Sequence, residues 1–116
     1  MDLYHIWCDL KPGQSDVEFC RHVGAYLGKL KDEARIAGFR ITRRKLGLGP
    51  QELGEFHIVV EIDSLAQLET AFQRVAARDE PIEGLHHAVN SRVANARFAL
   101  YRDFPDAGRK TGHEKF

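Results

Sequence analysis

The chain has few cysteines and no long apolar segment. It contains two cysteines, one tryptophan and one methionine among 116 residues. Two cysteines are too few for a disulfide-stapled secreted domain, and they do not form the closely spaced ligand set of a zinc knuckle. No apolar run approaches the roughly 20 residues that a membrane-spanning helix needs. The length therefore predicts one compact domain that is held together by a single hydrophobic core.

The chain also has no excess of charge of either sign. Its 17 basic and 17 acidic side chains cancel, which gives a formal net charge of zero. Without an overall field, neither nucleic acid nor an anionic membrane is expected as a partner. Met1 and Asp2 are followed at once by alternating residues, where a signal peptide would have a basic segment and an apolar stretch. The sequence therefore predicts a cytoplasmic protein.

Two segments, Leu3–Leu10 and Glu55–Ile62, alternate between two kinds of side chain. One face of each segment is apolar: Tyr4, Ile6, Cys8 and Leu10 in the first, and Phe56, Ile58, Val60 and Ile62 in the second. The other face carries His5, Trp7 and Asp9, and His57, Val59 and Glu61. Because alternate side chains of a strand share one sheet face, this spacing predicts two strands. The half-polar face is where function is expected.

The segment between these strands begins as a helix. Lys11-Pro12-Gly13 is a turn signal, and Ser15 followed by Glu18 is a capping box, so a helix is predicted from about Asp16. Its expected apolar stripe is Cys20, Val23, Leu27, Leu30 and Ala34. Gly24 and Gly28 are poor helix formers within this helix, and close packing against the sheet is the favoured reason for their presence. Since both cysteines lie on apolar faces, Cys8 and Cys20 are predicted to be buried and unbonded.

The rest of the chain supplies two more strands and two more helices. A strand is predicted over 39–46, a glycine-rich loop over 47–54, and a strand over 96–103. Asp63 or Ser64 can cap a helix whose expected stripe is Leu65, Leu68, Phe72 and Val75. A second short helix is predicted over 82–92. We expect one domain over 1–105 and a flexible C-terminal tail over 106–116.

This order of elements predicts an α+β, ferredoxin-like βαββαβ fold. Right-handed crossovers leave room for the third strand between the first two, which gives a four-stranded antiparallel sheet with the helices on one face. The opposite face would carry Trp7, Val59, Ala99 and Tyr101, which are too apolar for comfortable exposure to water. A second copy of the chain is therefore expected to cover it, so that two sheets form a dimeric α+β barrel.

The segment His5–Phe19, with its His-Ile strand, Lys-Pro-Gly turn and capped helix, resembles the start of stress-responsive dimeric α/β-barrel domains. The segment Gly54–Ile62 is similar to the third strand of these domains. The resemblance implies a homodimer of ferredoxin-like subunits. It leaves the activity open, because many members of that family have no known activity, while a few similar proteins are polyketide cyclases or related small-molecule enzymes.

The resemblance to the cyclases implies acid–base histidines, and a tyrosine on the second helix, around a pocket between sheet and helices. His5 and His57 match the strand histidines, and His86, or its neighbour His87, is the nearest candidate for a further histidine. Phe72 stands where the tyrosine would be, and it has no ionisable hydroxyl. The catalytic candidates are therefore His5, His57 and His86, with the tyrosine missing.

The face on which the two strand histidines lie depends on the register of the alignment. A shift of one residue sends His5 to the other face of the sheet. We favour the arrangement in which the apolar residues of 56–62 lie beneath the helices, because they match the apolar helix stripes. His5 and His57 would then point into the barrel between two subunits.

On that face the expected ligand-binding residues are His5, Trp7, His57, Glu61, Arg97 and Tyr101. Three alternatives remain open for them: a polar network that fixes the register of the dimer, a pocket for a small polar or aromatic ligand, or acid–base catalysis. No histidine spacing supports a metal site, and neither a metal nor another cofactor is expected. The favoured interpretation is a homodimer, stress-related or binding a small molecule. The alternative is a cofactor-free polyketide cyclase, isomerase or monooxygenase-like enzyme that uses pocket histidines.

Overall fold

A computed structural model describes residues 1–106 and 108 of the chain. The elements, in chain order, are β1 (Asp2–Leu10), α1 (Asp16–Asp32), β2 (Gly38–Arg43), β3 (Phe56–Ile62), α2 (Leu65–Ala76), α3 (Ile82–Asn90) and β4 (Val93–Arg102). The strands form one antiparallel sheet in the order β2-β3-β1-β4. The predicted α+β topology, with the third strand between the first two, is confirmed. The predicted flexible tail lies outside the described residues, apart from positions 106 and 108.

Serine side chains begin both longer helices. The Ser15 hydroxyl accepts a hydrogen bond from the Glu18 backbone N–H at 3.2 Å, at the start of α1. The Ser64 hydroxyl accepts from the Gln67 N–H at 3.2 Å, so Ser64 rather than Asp63 caps α2. Each cap satisfies one of the backbone donors that the first turn of a helix leaves unpaired.

The core lies between the sheet and the helices. Its buried members on β3 are Phe56, Ile58, Val60 and Ile62, and those on α1 are Phe19, Val23, Leu27 and Leu30. The rings of Phe19 and Phe56 meet edge to face, with centroids 5.2 Å apart. The favoured arrangement of β3 is therefore confirmed. Because side chains alternate along a strand, His5, Trp7 and His57 lie on the face opposite the helices.

The predicted stripe of α1 is wrong at both ends. The stripe begins at Phe19, which is fully buried, while Cys20 is exposed. Ala34 lies beyond the end of the helix and has a positive φ of 58°. The prediction that both thiols are buried is thus wrong for Cys20, because each helical residue is rotated by about 100° from the one before it. A Cβ on either Gly24 or Gly28 would meet nothing within 4 Å, so close packing does not explain these glycines.

The glycine-rich loop is held in place by one arginine and one close backbone contact. Arg44 donates from Nη2 to the carbonyls of Pro50, at 2.7 Å, and Leu53, at 2.6 Å. β2 therefore ends at Arg43, three residues before the predicted end. Gly54 packs against the Cys8 backbone, where a Cβ would lie 2.4 Å from the carbonyl carbon, so only glycine fits without a shift.

The two cysteines are expected to differ strongly in reactivity. Burial, helped by the neighbouring Asp9, raises the pKa of the Cys8 thiol to about 11, so almost none of it is thiolate at neutral pH. Cys20 is exposed on α1. A thiol reagent followed by mass spectrometry should modify Cys20 rapidly in the native protein and Cys8 only after denaturant is added. Rapid native-state labelling of Cys20→Ser would contradict the burial of Cys8.

Candidate functional site

Four side chains meet on the sheet face opposite the helices, which we call the outer face. They are His5 and Trp7 of β1, His57 of β3 and Tyr101 of β4, and together we call them the aromatic cluster. The strand register brings them together, since Trp7 pairs with His57 and the pair Leu3–Tyr101 lies one step along the face from His5. Thr42 of β2 donates its hydroxyl proton to the His57 carbonyl at 2.6 Å, which ties β2 to β3 here.

The rings of the aromatic cluster are stacked. Trp7 lies nearly parallel to His57, with centroids 4.6 Å apart, and to His5, with centroids 5.4 Å apart. Tyr101 meets His5 edge to face at 5.0 Å. Stacking of this kind fixes the imidazole planes and adds to the free energy gained by burying the rings. The two histidines are therefore held in one orientation.

The two imidazoles are also directly hydrogen-bonded. His5 Nδ1 lies 2.9 Å from His57 Nε2, so one nitrogen donates and the other accepts, according to the tautomer. The other nitrogen of His5, Nε2, is buried and has no partner among the described residues. Burial lowers the pKa of both rings, and the nearby His5 lowers the pKa of His57 further. The pair therefore favours its neutral form.

The remaining predicted ligand residues share the outer face without joining this cluster. Arg97 is paired with Trp7 across β1 and β4, and Glu61 is paired with Leu3 across β1 and β3. Glu61 lies beside Gly38, with its Oε2 3.0 Å from the point that a Gly38 Cβ would occupy. The structure thus brings four of the six predicted ligand residues into contact and leaves two beside them.

The third catalytic candidate, His86, is on the other side of the sheet. It belongs to α3 and lines a cavity of about 320 Å³ between the sheet and the helices. Most of the cavity wall is apolar, and the polar groups in it are the side chains of Tyr4, Tyr26, His86 and Asn90. We call this space the sheet–helix cavity. His86 therefore cannot act together with His5 and His57 within one subunit.

Aromatic rings line the sheet–helix cavity. The Tyr26 and His86 rings are tilted at 54° with centroids 5.4 Å apart. Tyr4 packs edge to face against Phe72 at 5.6 Å and parallel to Phe98 at 5.9 Å. Phe72, at the position expected for a tyrosine, therefore contributes apolar surface to the cavity.

The phenols in this cavity are protonated at neutral pH. Burial, with a smaller effect of the neighbouring Tyr4, raises the pKa of Tyr26 to about 12. Burial also raises the pKa of Tyr4. A protonated phenol can donate a hydrogen bond, while the His86 imidazole can both donate and accept. The cavity therefore offers donors and an acceptor on a mostly apolar wall.

Three of the residues that contribute polar groups to this cavity, Tyr4, Tyr26 and Asn90, are absent from the site residues predicted from sequence. Alternation places Tyr4 on the apolar face of β1, and Tyr26 lies outside the predicted stripe of α1, so neither was identified as a cavity residue. Their signal was the hydroxyl, since a buried tyrosine usually needs a polar partner. Asn90 closes α3, where nothing in the local pattern separates it from a surface residue.

Within residues 1–106 and 108, no three side chains of histidine, cysteine, aspartate or glutamate come together as a metal-binding group. In the same part of the chain, no helix combines the length and the apolar character needed to cross a membrane.

A protein-family model, DUF6614, matches residues 1–116 and describes a family of unknown function. The chain belongs to this family. A comparison with curated proteins returned no match.

Solved structures share the fold of this DUF6614 protein. At3g17210 from Arabidopsis thaliana has a TM-score of 0.66 and 12% identity over 89% of this chain and 95% of that one. A dimeric ferredoxin-like protein of unknown function from Jannaschia sp. CCS1 has a TM-score of 0.64 and 13% identity, over 89% and 100%. An antibiotic biosynthesis monooxygenase has a TM-score of 0.59 and 14% identity, over 90% and 100%. At such identities the likeness shows the ferredoxin-like fold alone.

Proposed function

We propose that this DUF6614 protein is a homodimer that binds a small aromatic or apolar molecule in the sheet–helix cavity. The observation that carries this proposal is the cavity itself. Its volume of about 320 Å³ lies within the range of small-molecule sites. Its apolar wall favours an apolar body, and Tyr26 and His86 can orient one polar group of the ligand by hydrogen bonds.

The outer face supports the homodimer. Tyr101 is 60% exposed in the single chain, and Trp7 and Val59 are only half-buried beside it. A second copy packed sheet to sheet would remove this apolar surface from water. The similar protein from Jannaschia is itself dimeric.

In this dimer the aromatic cluster lies between the subunits. His5 Nδ1 and His57 Nε2 are hydrogen-bonded to each other, and both rings are stacked on Trp7. Buried polar groups paired in this way fix the geometry of an interface. We therefore assign these two histidines to the polar network of the dimer, and the ligand to the sheet–helix cavity.

A bulky side chain at Ala96 should block ligand binding. Ala96 lines the cavity and belongs to the edge strand β4. Because its side chain is exposed there, a larger side chain can be introduced without displacing the strand. We expect wild-type protein titrated with 2-naphthol to show NMR shifts at the amides of Tyr26 and His86, and Ala96→Trp to lose them. Ala77→Trp adds the same side chain at an exposed position after α2 that does not line the cavity.

Both variants should melt close to wild type and differ only in binding. Equal shifts in the two tryptophan variants, or no binding of 2-naphthol by wild type, would contradict the assignment of the ligand to this cavity.

One contact favours a second candidate function, a cofactor-free acid–base enzyme of the cyclase, isomerase or monooxygenase type. The Tyr26 phenol and the His86 imidazole line the same cavity with rings 5.4 Å apart. Such a pair can supply a proton donor and a proton acceptor to a carbonyl compound. In this function His86 would remove a proton next to the carbonyl, and Tyr26 would donate a hydrogen bond to the resulting enolate oxygen.

Deuterium exchange at the α-carbon of 1-tetralone, followed by NMR, tests the enzyme reading. We expect wild-type protein to accelerate the exchange over buffer. His86→Asn should remove the acceleration, and Tyr26→Phe should reduce it by about 10²-fold or more. Exchange at the wild-type rate in both variants, or at the buffer rate in wild type, would exclude this chemistry.

A further inference from the structure

A second, polar pocket adjoins the sheet–helix cavity. It has a volume of about 260 Å³ and lies between α2 and α3. Three residues, Val75, His86 and Asn90, line both spaces. The mostly apolar cavity is therefore bordered, at the His86 imidazole, by a compartment of different chemistry. We call this compartment the polar pocket.

An unpaired arginine faces the polar pocket. The Arg78 guanidinium makes no hydrogen bond or ion pair within the part of the chain that the structure describes, although its backbone N–H donates to the Val75 carbonyl at 3.1 Å. Arg74, one turn earlier, shows the contrast, because its guanidinium is bound to Glu33 at 3.0 Å and to the Asp79 carbonyl at 3.3 Å. The charge of Arg78 is thus available to a ligand.

The other side chains of the polar pocket limit which anion fits. His86 and His87 can each donate an N–H to an acceptor. Glu83 is half-buried in the same pocket and forms no ion pair with Arg78. The negative charge of Glu83 repels an anionic ligand. A ligand group with a single negative charge is therefore favoured over a phosphate with two. A planar carboxylate matches the fork of a guanidinium.

The geometry points to an amphipathic carboxylic acid as the ligand. Its aromatic or apolar body occupies the sheet–helix cavity, and its carboxylate reaches past His86 to the Arg78 guanidinium in the polar pocket. This inference rests on the proposed function, because it extends the ligand site already assigned to the cavity. It adds the chemical class of the ligand and names Arg78 as the residue that determines the preference for a carboxylate over an uncharged group.

Two probes of the same shape test the inference. At neutral pH, 2-naphthoate carries a carboxylate, whereas 2-naphthol is uncharged. Isothermal titration should show wild type binding 2-naphthoate about fivefold more tightly than 2-naphthol, as an exposed charge pair allows. Arg78→Gln should bring the two affinities together by weakening the binding of 2-naphthoate.

Two further variants complete the experiment. Glu83→Gln should strengthen 2-naphthoate binding, because it removes the opposing charge. Arg21→Gln removes an equal positive charge from α1, outside both spaces, and should keep the wild-type preference.

The outcomes separate this inference from the proposed function. Binding of 2-naphthol without preference for 2-naphthoate, or a preference that survives Arg78→Gln, overturns the inference and leaves the cavity site standing. Absence of binding by both probes overturns the inference and the proposed function together.

Discussion

Val59→Arg is expected to convert the protein from a dimer into a monomer. Val59 lies on the outer face of β3, paired with His5 of β1 and Arg40 of β2. In the proposed sheet-to-sheet dimer this position loses its contact with water, and an unpaired guanidinium there has no compensating partner. A cost of about 3 kcal/mol would weaken dimerisation roughly a hundredfold. Arg40 adds like-charge repulsion to this cost.

Sedimentation equilibrium at micromolar concentration measures the effect. Val17→Arg is the matched control, since Val17 is 73% exposed at the start of α1, away from the sheet. Wild type and the Val17 variant should sediment as dimers and the Val59 variant as a monomer. A Val59→Arg dimer as stable as wild type would show that the outer face is not the interface.

Acidification is expected to destabilise the protein through the His5–His57 pair. Burial lowers the pKa of both imidazoles in the folded state below the ordinary value of 6.5. As the pH falls through 6.5, the unfolded chain therefore takes up protons that the folded chain resists. Above pH 6.5 these two histidines should not make the free energy of unfolding depend on pH. Between pH 6.5 and the lowered pKa values, the free energy of unfolding should decrease as the pH falls. If both imidazoles were protonated, two N–H groups would also point at each other across the 2.9 Å contact.

His57→Gln tests this linkage. The variant loses a titrating group and the imidazole that stacks on Trp7 and His5, which should cost about 1 kcal/mol at neutral pH. The melting temperature should then fall less steeply between neutral and acidic pH than that of wild type. His22→Gln removes a histidine from α1 and should keep the wild-type profile. If the melting temperature of His57→Gln equalled that of wild type at neutral pH and fell in parallel with it on acidification, the His5–His57 pair would not contribute to stability.

The sheet was predictable because its signal is local. Strand alternation repeats every second residue, so the apolar series of 56–62 predicted both the strand and its buried face. The contact between His5 and His57 was predictable only as a shared face. Their hydrogen bond depends on the strand register that sets Trp7 opposite His57, and the alternation within each strand does not specify that register.

The helix faces were harder to predict, because neighbouring apolar residues compete for one stripe. Phe19 and Cys20 are adjacent and both apolar, and the larger side chain takes the buried position. On α2, Leu65 and Phe72 were predicted to be core residues but remain 49% and 46% exposed, while Ala71 is buried. The face that a helix buries depends on how it crosses the sheet, which its own periodicity does not determine.

The proposed ligand site could not be predicted from any single segment. Tyr4 comes from β1, Tyr26 from α1, and His86 and Asn90 from α3. Only the packing of these elements around a space that they do not fill brings the four side chains together. The sequence suggested His86 from a resemblance, and the structure places it on the helix side of the sheet, away from His5 and His57.

A crystal structure of the protein grown with 2-naphthoate tests the central assignment most directly. We expect the naphthalene ring between Tyr26 and His86 in the sheet–helix cavity, with the carboxylate directed toward Arg78. We also expect a second copy of the chain to cover the aromatic cluster. A naphthalene ring bound on the outer face against Trp7 and His57, with the sheet–helix cavity empty, would show that the ligand site is not in this cavity.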